Sequence, residues 1–369
     1  MAFLFDDDHR QIVQEAERVL SAGFSPDRLR ELLETTGAVD QAFWATCAEM
    51  GWTGISIDED HGGLGLGPIE MGLTAQMAGR FAVGAPFLTT GYGVAEALRL
   101  YGSDDLKSAH LPGLADGSTI GAIWLTAALE SSGLPTLSEG RLNGAIGPVA
   151  AGLQAGLLVT LARTPEGSDA LVLIELDAST RRAAVQTFDN SRGYADLTFD
   201  GAPATHLTRA DARAAALDLI ARVAVIAAFE QLGVAEACLE RARTFANERE
   251  AFGQPIGKFQ AIKHRIAEMY VANELARGAT LRAVLAVRDD APDLIALAGA
   301  ARLMAIDAAE FAAREAIQTH GAIGVTWEHD LHLFYRRSRA LALELGASAA
   351  WQDVVADRVI GTPALRSPA

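Results

Sequence analysis

The sequence predicts an α+β protein of several domains, in which helices give way to a small β unit and then return. Three observations predict it. From Asp6 to about Leu111 apolar residues recur at helical spacing, after Pro112-Gly113 the period falls toward two, and from Arg209 onward long alanine-rich helical patterns resume. The expected organisation is an N-terminal α-helical domain over 1–112, a central β domain over 113–207 and a C-terminal bundle of long helices, four-helix-bundle-like, over 208–369. A chain of 369 residues suits two or three such units, because single cores stop growing at roughly 250 to 300 residues.

Taken in order, the first helix follows an acidic turn and carries Ile12, Ala16, Val19 and Leu20 on one face; a second amphipathic stretch covers Leu29 to Leu33. Gly62-Gly63-Leu64-Gly65-Leu66-Gly67-Pro68 follows no strand and lacks the GxGxxG spacing, so it reads as a turn rather than a phosphate cradle. Leu157 to Leu161 and Leu171 to Leu176 read as buried strands, and Asp196 to Asp200 alternates before an expected Asp200-Gly201 turn. Leu219, Val223, Ile226, Phe229 and Gly233 lie at helical spacing, and Ile262, Ile266 and Met269 repeat the stripe.

The formal charge of −16 argues against nucleic acid, whose recognition rests on clustered Lys and Arg, and it means that any anionic ligand must be held by local donors. No apolar run reaches the ~20 residues a bilayer requires. Met1 to Phe5 is too short for a signal-peptide core and is followed by Asp6-Asp7-Asp8, so a cytoplasmic protein is expected. Cys47 and Cys238 form no paired framework and read as buried thiols.

The informative stretch is Ala246 to Gln260. Gly253 and Pro255 are stop signals for a helix ending near Phe252, and a new helix is expected from Gly257 or Lys258. Arg249 then falls in a last helical turn and Gln260 in a first one, where a guanidinium and free backbone N–H groups suit an anion. Taken alone, each has an ordinary reading: the arginine complements a helix dipole and the glutamine is solvated. His329 and His332, with Glu328 beside them and His320 near, have a spacing that can chelate, but one histidine pair without a second ligand motif is weak; no metal is expected.

Arg249, Phe252-Gly253, Pro255-Ile256, Phe259-Gln260, Lys263-His264 and Ala267-Glu268-Met269 resemble the first signature of the acyl-CoA dehydrogenase family, in order and spacing. Ala316-Ile317-Gln318, the Gly321 turn, Thr326-Trp327-Glu328-His329-Asp330 and Arg336-Arg337 resemble its late signature, in the form common among dehydrogenases of bulky CoA thioesters. The resemblance spans nearly the whole chain. It implies FAD as cofactor, an acyl-CoA substrate, α,β-dehydrogenation, and transfer of electrons to an electron-transfer flavoprotein. It also implies that Arg249, Phe252, Phe259, Gln260, Gln318, Gly321 and the Ala322 backbone contact the ADP and diphosphate portion of a flavin held by a neighbouring subunit.

The half of the site that a family member provides for its own flavin departs from the pattern. The segment that holds the isoalloxazine corresponds to Thr126-Ala127-Ala128-Leu129-Glu130, and the groups behind the ring fall among Gly147-Pro148-Val149-Ala150. After the Arg336-Arg337 helix a strand with a catalytic Glu is expected, but Leu345-Gly346-Ala347 occupies that position. The family's alternative base position falls at Val223, beside Ala221 and Arg222. Glu344, by a one-residue slip, and Glu230, two turns beyond Val223 and read as a polar-face or interface residue, are the fallback bases. The leading expectation is therefore a base-deficient subunit of a heteromeric α2β2 acyl-CoA dehydrogenase of steroid or other bulky-acyl catabolism, with a homologous base-bearing partner. A self-sufficient homotetramer using Glu344 or Glu230, and a non-enzymatic scaffold of the same fold, are the alternatives.

Overall fold

The computed structural model describes residues 6–360 except 24, 38, 84, 85, 131, 132 and 209, and of residues 86–90 the backbone alone. The N-terminal unit comprises α1 (Asp7–Gly23), α2 (Pro26–Leu33), α3 (Gln41–Glu49), α4 (Pro68–Arg80), α5 (Pro86–Tyr101) and α6 (Asp104–Ala115). Asp7 and Asp8 sit in the first turn of α1, where acids suit the helix dipole, and Ala16 and Leu20 are buried as the stripe predicts. Gly62 to Gly67 forms a loop that ends with Pro68 opening α4, a first-turn position where the missing N–H costs nothing. Pro112-Gly113 does not end a helix: α6 runs on to Ala115 with Pro112 inside it, at the loss of one i→i−4 hydrogen bond.

The central strands are β1 (Gly121–Trp124), β2 (Thr136–Ser138), β3 (Arg141–Ala150), β4 (Leu157–Arg163), β5 (Asp169–Glu175), β6 (Thr180–Val185) and β7 (Tyr194–Thr208). Their pairings run β4 to β5, β5 to β7, β7 to β3, β3 to β2 and β2 back to β4, so the sheet closes on itself, with β1 and β6 added at β4 and β7. β4 and β5 are buried on both faces, by the closed sheet on one side and by contacts with α5 and α7 on the other, which is why each reads as a continuous apolar run. The expected turn at Asp200-Gly201 is a bulge instead. Gly201, at φ +73°, takes up a shift in the β3–β7 register, and Asn143 accepts its N–H at 2.9 Å; β7 then runs on to pair with β5.

The C-terminal unit contains α7 (Ala212–Glu248), a short hairpin of β8 (Glu250–Ala251) and β9 (Gln254–Pro255), and then α8 (Gln260–Arg288), α9 (Leu294–His320), α10 (Leu331–Glu344) and α11 (Ser348–Ile360). Helix α7 is 37 residues long, about 55 Å, and is buried all round from Leu219 to Ala235. It packs against α4, α5, α8, α9 and α10. Its crossing with α4 depends on glycine: a Cβ on Gly233 would lie 1.9 Å from the Gln76 carbonyl oxygen, and one on Gly79 2.0 Å from that of Glu230.

Polar groups join the three units at their centre. Arg192, on the segment entering β7, donates to Glu230 of α7 at 2.8 Å and grips Glu344 of α10 through Nε and, at 2.9 Å, Nη2. Arg337 of α10 donates to Asp189 at 2.8 Å, to Ser191 at 3.0 Å, and to the Val83 carbonyl of the N-terminal unit. Arg302 of α9 donates to Gln231 at 2.7 Å and to the Leu341 carbonyl. All six ionic side chains are buried, and the three arginines balance Asp189, Glu230 and Glu344. Burial pushes Arg302 down to about 10, which leaves it charged at neutral pH.

Adding one methyl group at the α4–α7 crossing tests the close approach. Gly233→Ala should lower the unfolding free energy by about 3 kcal/mol, read from urea denaturation, because its neighbour is a backbone carbonyl that cannot rotate away.

Candidate functional site

The end of the bundle that carries the first signature differs from its expected form. Helix α7 stops at Glu248, not near Phe252, and Arg249 follows in an extended conformation. Its N–H donates to the Phe245 carbonyl and its carbonyl accepts from Ile256, both at 2.8 Å, so its backbone is fixed at both ends. Phe252 and Gly253 form the hairpin tip at φ +54° and +77°, the two left-handed positions of a tight two-residue turn. Such a conformation costs a non-glycine residue about 1–2 kcal/mol, yet Phe252 is 97% exposed, its ring edge to face with Phe259 at 6.1 Å. A 3-10 turn over Ile256–Lys258 precedes α8, which begins at Gln260 rather than at Gly257 or Lys258.

This edge has the makings of an anion receptor. Among the described residues the Arg249 guanidinium has no hydrogen-bond or ion-pair partner, and the exposed side chains of Gln260 and Gln318 make no hydrogen bond. No side chain caps α8, whose first-turn N–H groups carry the positive end of the helix dipole. Lys258 and Lys263, two of the three lysines in the chain, add positive charge where a helix ordinarily prefers acids. Helix α9 ends at His320, and Gly321, at φ +66°, turns the chain so that its N–H caps the Gln318 and Ile317 carbonyls. Ala322 and Ile323 beyond it are exposed.

A second feature is a cleft of about 180 Å³ lined by Trp124, Thr126, Gly147, Pro148, Thr187, Tyr194, Leu343 and Glu344 among others. It brings together the two segments matched to the flavin-ring site, yet it is smaller than the roughly 300–1,000 Å³ of pockets for organic ligands. Of its lining, the Thr187 N–H is committed to the Asn190 side chain at 2.9 Å and Pro148 has none, while beside it the N–H groups of Ala128, Leu129 and Glu130 bond back within their own 3-10 turn. These residues do not fit an isoalloxazine ring. A wider groove of about 620 Å³ adjoins the cleft through Phe188, but among the described residues its lining includes no carboxylate and hence no acid that could serve as base.

The candidate bases are accounted for. No strand follows α10; Leu345-Gly346-Ala347 links it directly to α11, with Leu345 buried. Glu344 stands at the cleft wall, held by Arg192 and by the Tyr194 hydroxyl at 2.6 Å. Burial alone would raise its pKa, but the Arg192 charge and hydrogen bonds outweigh burial and leave it below the ordinary 4.5. Glu230 is no surface residue. It is 1% exposed between Arg192 and Arg337, and burial, only partly offset by those arginines, raises its pKa. Val223 is fully buried beneath α5, where a Cβ on Gly93 would meet it at 3.1 Å, and Arg222 is bound by Asp218, Asp290 and Glu96.

His329 and His332 are half-buried rather than free on the surface. His332 stacks on Trp327, and His329 sets its ring edge-on against His320 at 4.8 Å. Cys47 and Cys238 are buried free thiols, and burial pushes Cys238 up to about 12. Sequence reasoning missed Arg192, Tyr194 and Asp189. The available signal was a run of polar residues, Asp189 to Arg192, entering an otherwise apolar strand.

A helical unit, a closed β unit and a long-helix bundle with a positive edge at one end form the layout that the sequence resemblance implies. Residues 6–118 match the acyl-CoA dehydrogenase N-terminal domain and residues 214–360 the acyl-CoA dehydrogenase C-terminal domain. The chain is similar to acyl-CoA dehydrogenase IpdE2 of Mycobacterium tuberculosis, at 31% identity over 91% of this chain and 92% of that one. It is also similar to acyl-CoA dehydrogenase FadE34 of the same organism, at 33% identity over 84% of this chain but 40% of that one. Among solved structures, a variant of the Tcur3481-Tcur3483 steroid ACAD superposes with a TM-score of 0.86 at 26% identity, covering 96% of this chain and 98% of that one. The ChsE4-ChsE5 complex of Mycobacterium tuberculosis gives 0.86 at 24% identity over the full length of both chains, a likeness of fold. The chain belongs to the acyl-CoA dehydrogenase family, whose members are FAD-dependent oxidoreductases acting on acyl-CoA. Among the described residues no helix is long and apolar enough to cross a membrane.

Glu344→Gln tests the carboxylate's structural role. Because its folded pKa lies below the ordinary 4.5, its contribution is complete above that value and is lost as pH falls through the lowered one. The variant should lose about 2 kcal/mol at neutral pH, and the gap to the parent should close in urea titrations carried below pH 4.5.

Proposed function

We propose that this chain is the base-deficient subunit of a heteromeric acyl-CoA dehydrogenase, paired in an α2β2 assembly with a homologous subunit that carries the catalytic carboxylate. One observation carries the reading: Glu344, the one acid lining the cleft among the described residues, is committed to Arg192 and Tyr194 and held in its charged, weakly basic form. A general base works best with a pKa near the operating pH. A carboxylate gripped by a buried guanidinium is far from that condition.

In the assembly, Arg249 donates to the diphosphate of the partner's FAD, Gln260 and Gln318 add hydrogen bonds, and the open N-terminus of α8 contributes its dipole. Phe252 and Phe259 cover the neighbouring apolar surface and exclude water, while the Gly321–Ala322 turn brings backbone close to the cofactor. FAD held there would supply the hydride acceptor for the β-carbon of the acyl thioester, with the partner's base taking the α-proton. The substrate class is a bulky acyl-CoA, including steroid-derived ones, and the electrons pass on to an electron-transfer flavoprotein. Two similar solved structures are named for two components, and one of them as a steroid enzyme, which supports both the pairing and the substrate class.

The self-sufficient homotetramer makes an opposite forecast. Purified alone, the chain should be colourless and inactive; with its partner it should yield yellow protein with one FAD per pair of chains. One flavin per chain in the absence of any partner would defeat the proposal. Within the active complex, Glu344→Gln should keep turnover within about twofold, whereas loss of a true base costs roughly 100-fold or more.

Arg249→Ala in the same complex should weaken FAD binding about 10- to 100-fold, the effect of losing charge-assisted hydrogen bonds. Flavin fluorescence titration reads it, and unchanged affinity would favour a scaffold that retains the motif only for packing.

A further inference from the structure

At the edge described above, two separate elements must face one anion: Arg249, behind the hairpin, and the Gln318–Ala322 turn, at the end of another helix. We propose that His320 is the positioning residue that holds these two elements in register, an inference that rests on reading this edge as the contact to a partner's FAD.

The connection can be followed atom by atom. The Phe245 carbonyl accepts the Arg249 N–H at 2.8 Å, and the Phe245 ring stacks on the His320 imidazole with centroids 4.1 Å apart and planes at 25°. His320 Nδ1 lies 2.8 Å from the Ala316 carbonyl, which can only accept, so Nδ1 carries the proton and the ring is clipped to its own helix. Gly321 follows directly. The imidazole is 9% exposed, and the turn closes around it: a Cβ on Gly324 would lie 3.1 Å from the His320 Cβ and 2.9 Å from the Ile317 carbonyl oxygen. The edge of His329 closes another side. A displacement of the imidazole therefore moves Phe245 and the turn together, and the Arg249 backbone moves with Phe245.

The same packing makes the joint sensitive to acid. Burial is the main cause that lowers the pKa values of His320 and His329 below the ordinary 6.5. The charges facing them are Arg241 of α7 toward both rings, and Arg30 of α2 and Asp330 toward His329; Asp330 favours protonation of His329 and the Ala316 hydrogen bond that of His320, but burial outweighs both. Since the folded values are depressed, the neutral arrangement is fully held above 6.5 and is lost as pH falls through the lowered values. Two protonated imidazoles in contact beside Arg241 repel and loosen the joint.

The test uses the complex reconstituted with the base-bearing subunit, and reads FAD affinity and turnover per bound flavin at about pH 7.5 and about pH 5.5. His320→Ala should weaken FAD binding about 10-fold at the higher pH, the combined effect of an aromatic pair and a hydrogen bond, with turnover per bound flavin within about twofold. His320→Phe keeps the stack without the titrating ring, so it should recover most of the affinity and lose the parent's fall on acidification. If His320→Ala binds FAD as tightly as the parent while Arg249→Ala binds weakly, this proposal fails and the reading of the edge survives. If Arg249→Ala also binds normally, the reading of the edge fails and the proposal with it. A His320→Phe complex that still loses affinity at low pH as the parent does would likewise overturn the proposal.

Discussion

The pairing of Arg192 with two carboxylates is the interaction on which the rest depends. Burying one guanidinium in an apolar core is costly unless its charge and its donors are matched, and here Glu230 and Glu344 come from two different helices to match them. That requirement fixes where α7 and α10 lie relative to the segment entering β7. Arg337 extends the same logic through Asp189 and Ser191 to the Val83 carbonyl, so that the helical N-terminal unit, the β unit and the bundle meet at one neutral cluster. The chemical consequence is that the acid nearest the cleft serves as a counter-ion.

Around that cluster the architecture follows from α7. A helix buried on every side must be approached closely, and glycine at Gly79 and Gly233 lets α4 cross it backbone to backbone. The same helix ends where the functional edge begins: Arg249 is the first residue beyond it, anchored by the carbonyl of Phe245 one turn back. Rigidity at the core is thus transmitted along a rod of about 55 Å to the donors at its tip.

Much of this was legible in the sequence, and the misses share a cause. Buried strands such as β4 and the stripe on α7 were readable because burial imposes a local pattern. The helix end was misjudged because Gly253 and Pro255 signal a stop equally well for a helix and for a tight hairpin, and only the pairing of Glu250 with Pro255 decides between them. Glu230 read as a polar-face or interface residue because its partners, Arg192 and Arg337, lie 38 and 107 residues away. Pro112 and Gly201 were taken as breaks, but tertiary packing carried a helix through the first and a strand through the second.

The electrostatics of the whole chain sharpen the meaning of the edge. With a net charge of −16 the protein repels anions at long range, and a diphosphate cannot be drawn in by the overall field. Inside a Debye length of roughly 10 Å at 0.1 M salt the balance is local, and there Arg249, Lys258, Lys263 and the α8 N-terminus act without an ion pair among the described residues, although Glu248 and Glu250 flank the arginine in sequence. Elsewhere the buried Arg192 and Arg337 are paired with carboxylates within the fold, and Arg302 donates through both Nη atoms while its Nε has no partner among the described residues. A charged donor set left unsatisfied at a surface, on a backbone fixed at both ends, has its complement outside the chain, and the exposed Phe252 beside it indicates that the complement arrives with an apolar surface of its own.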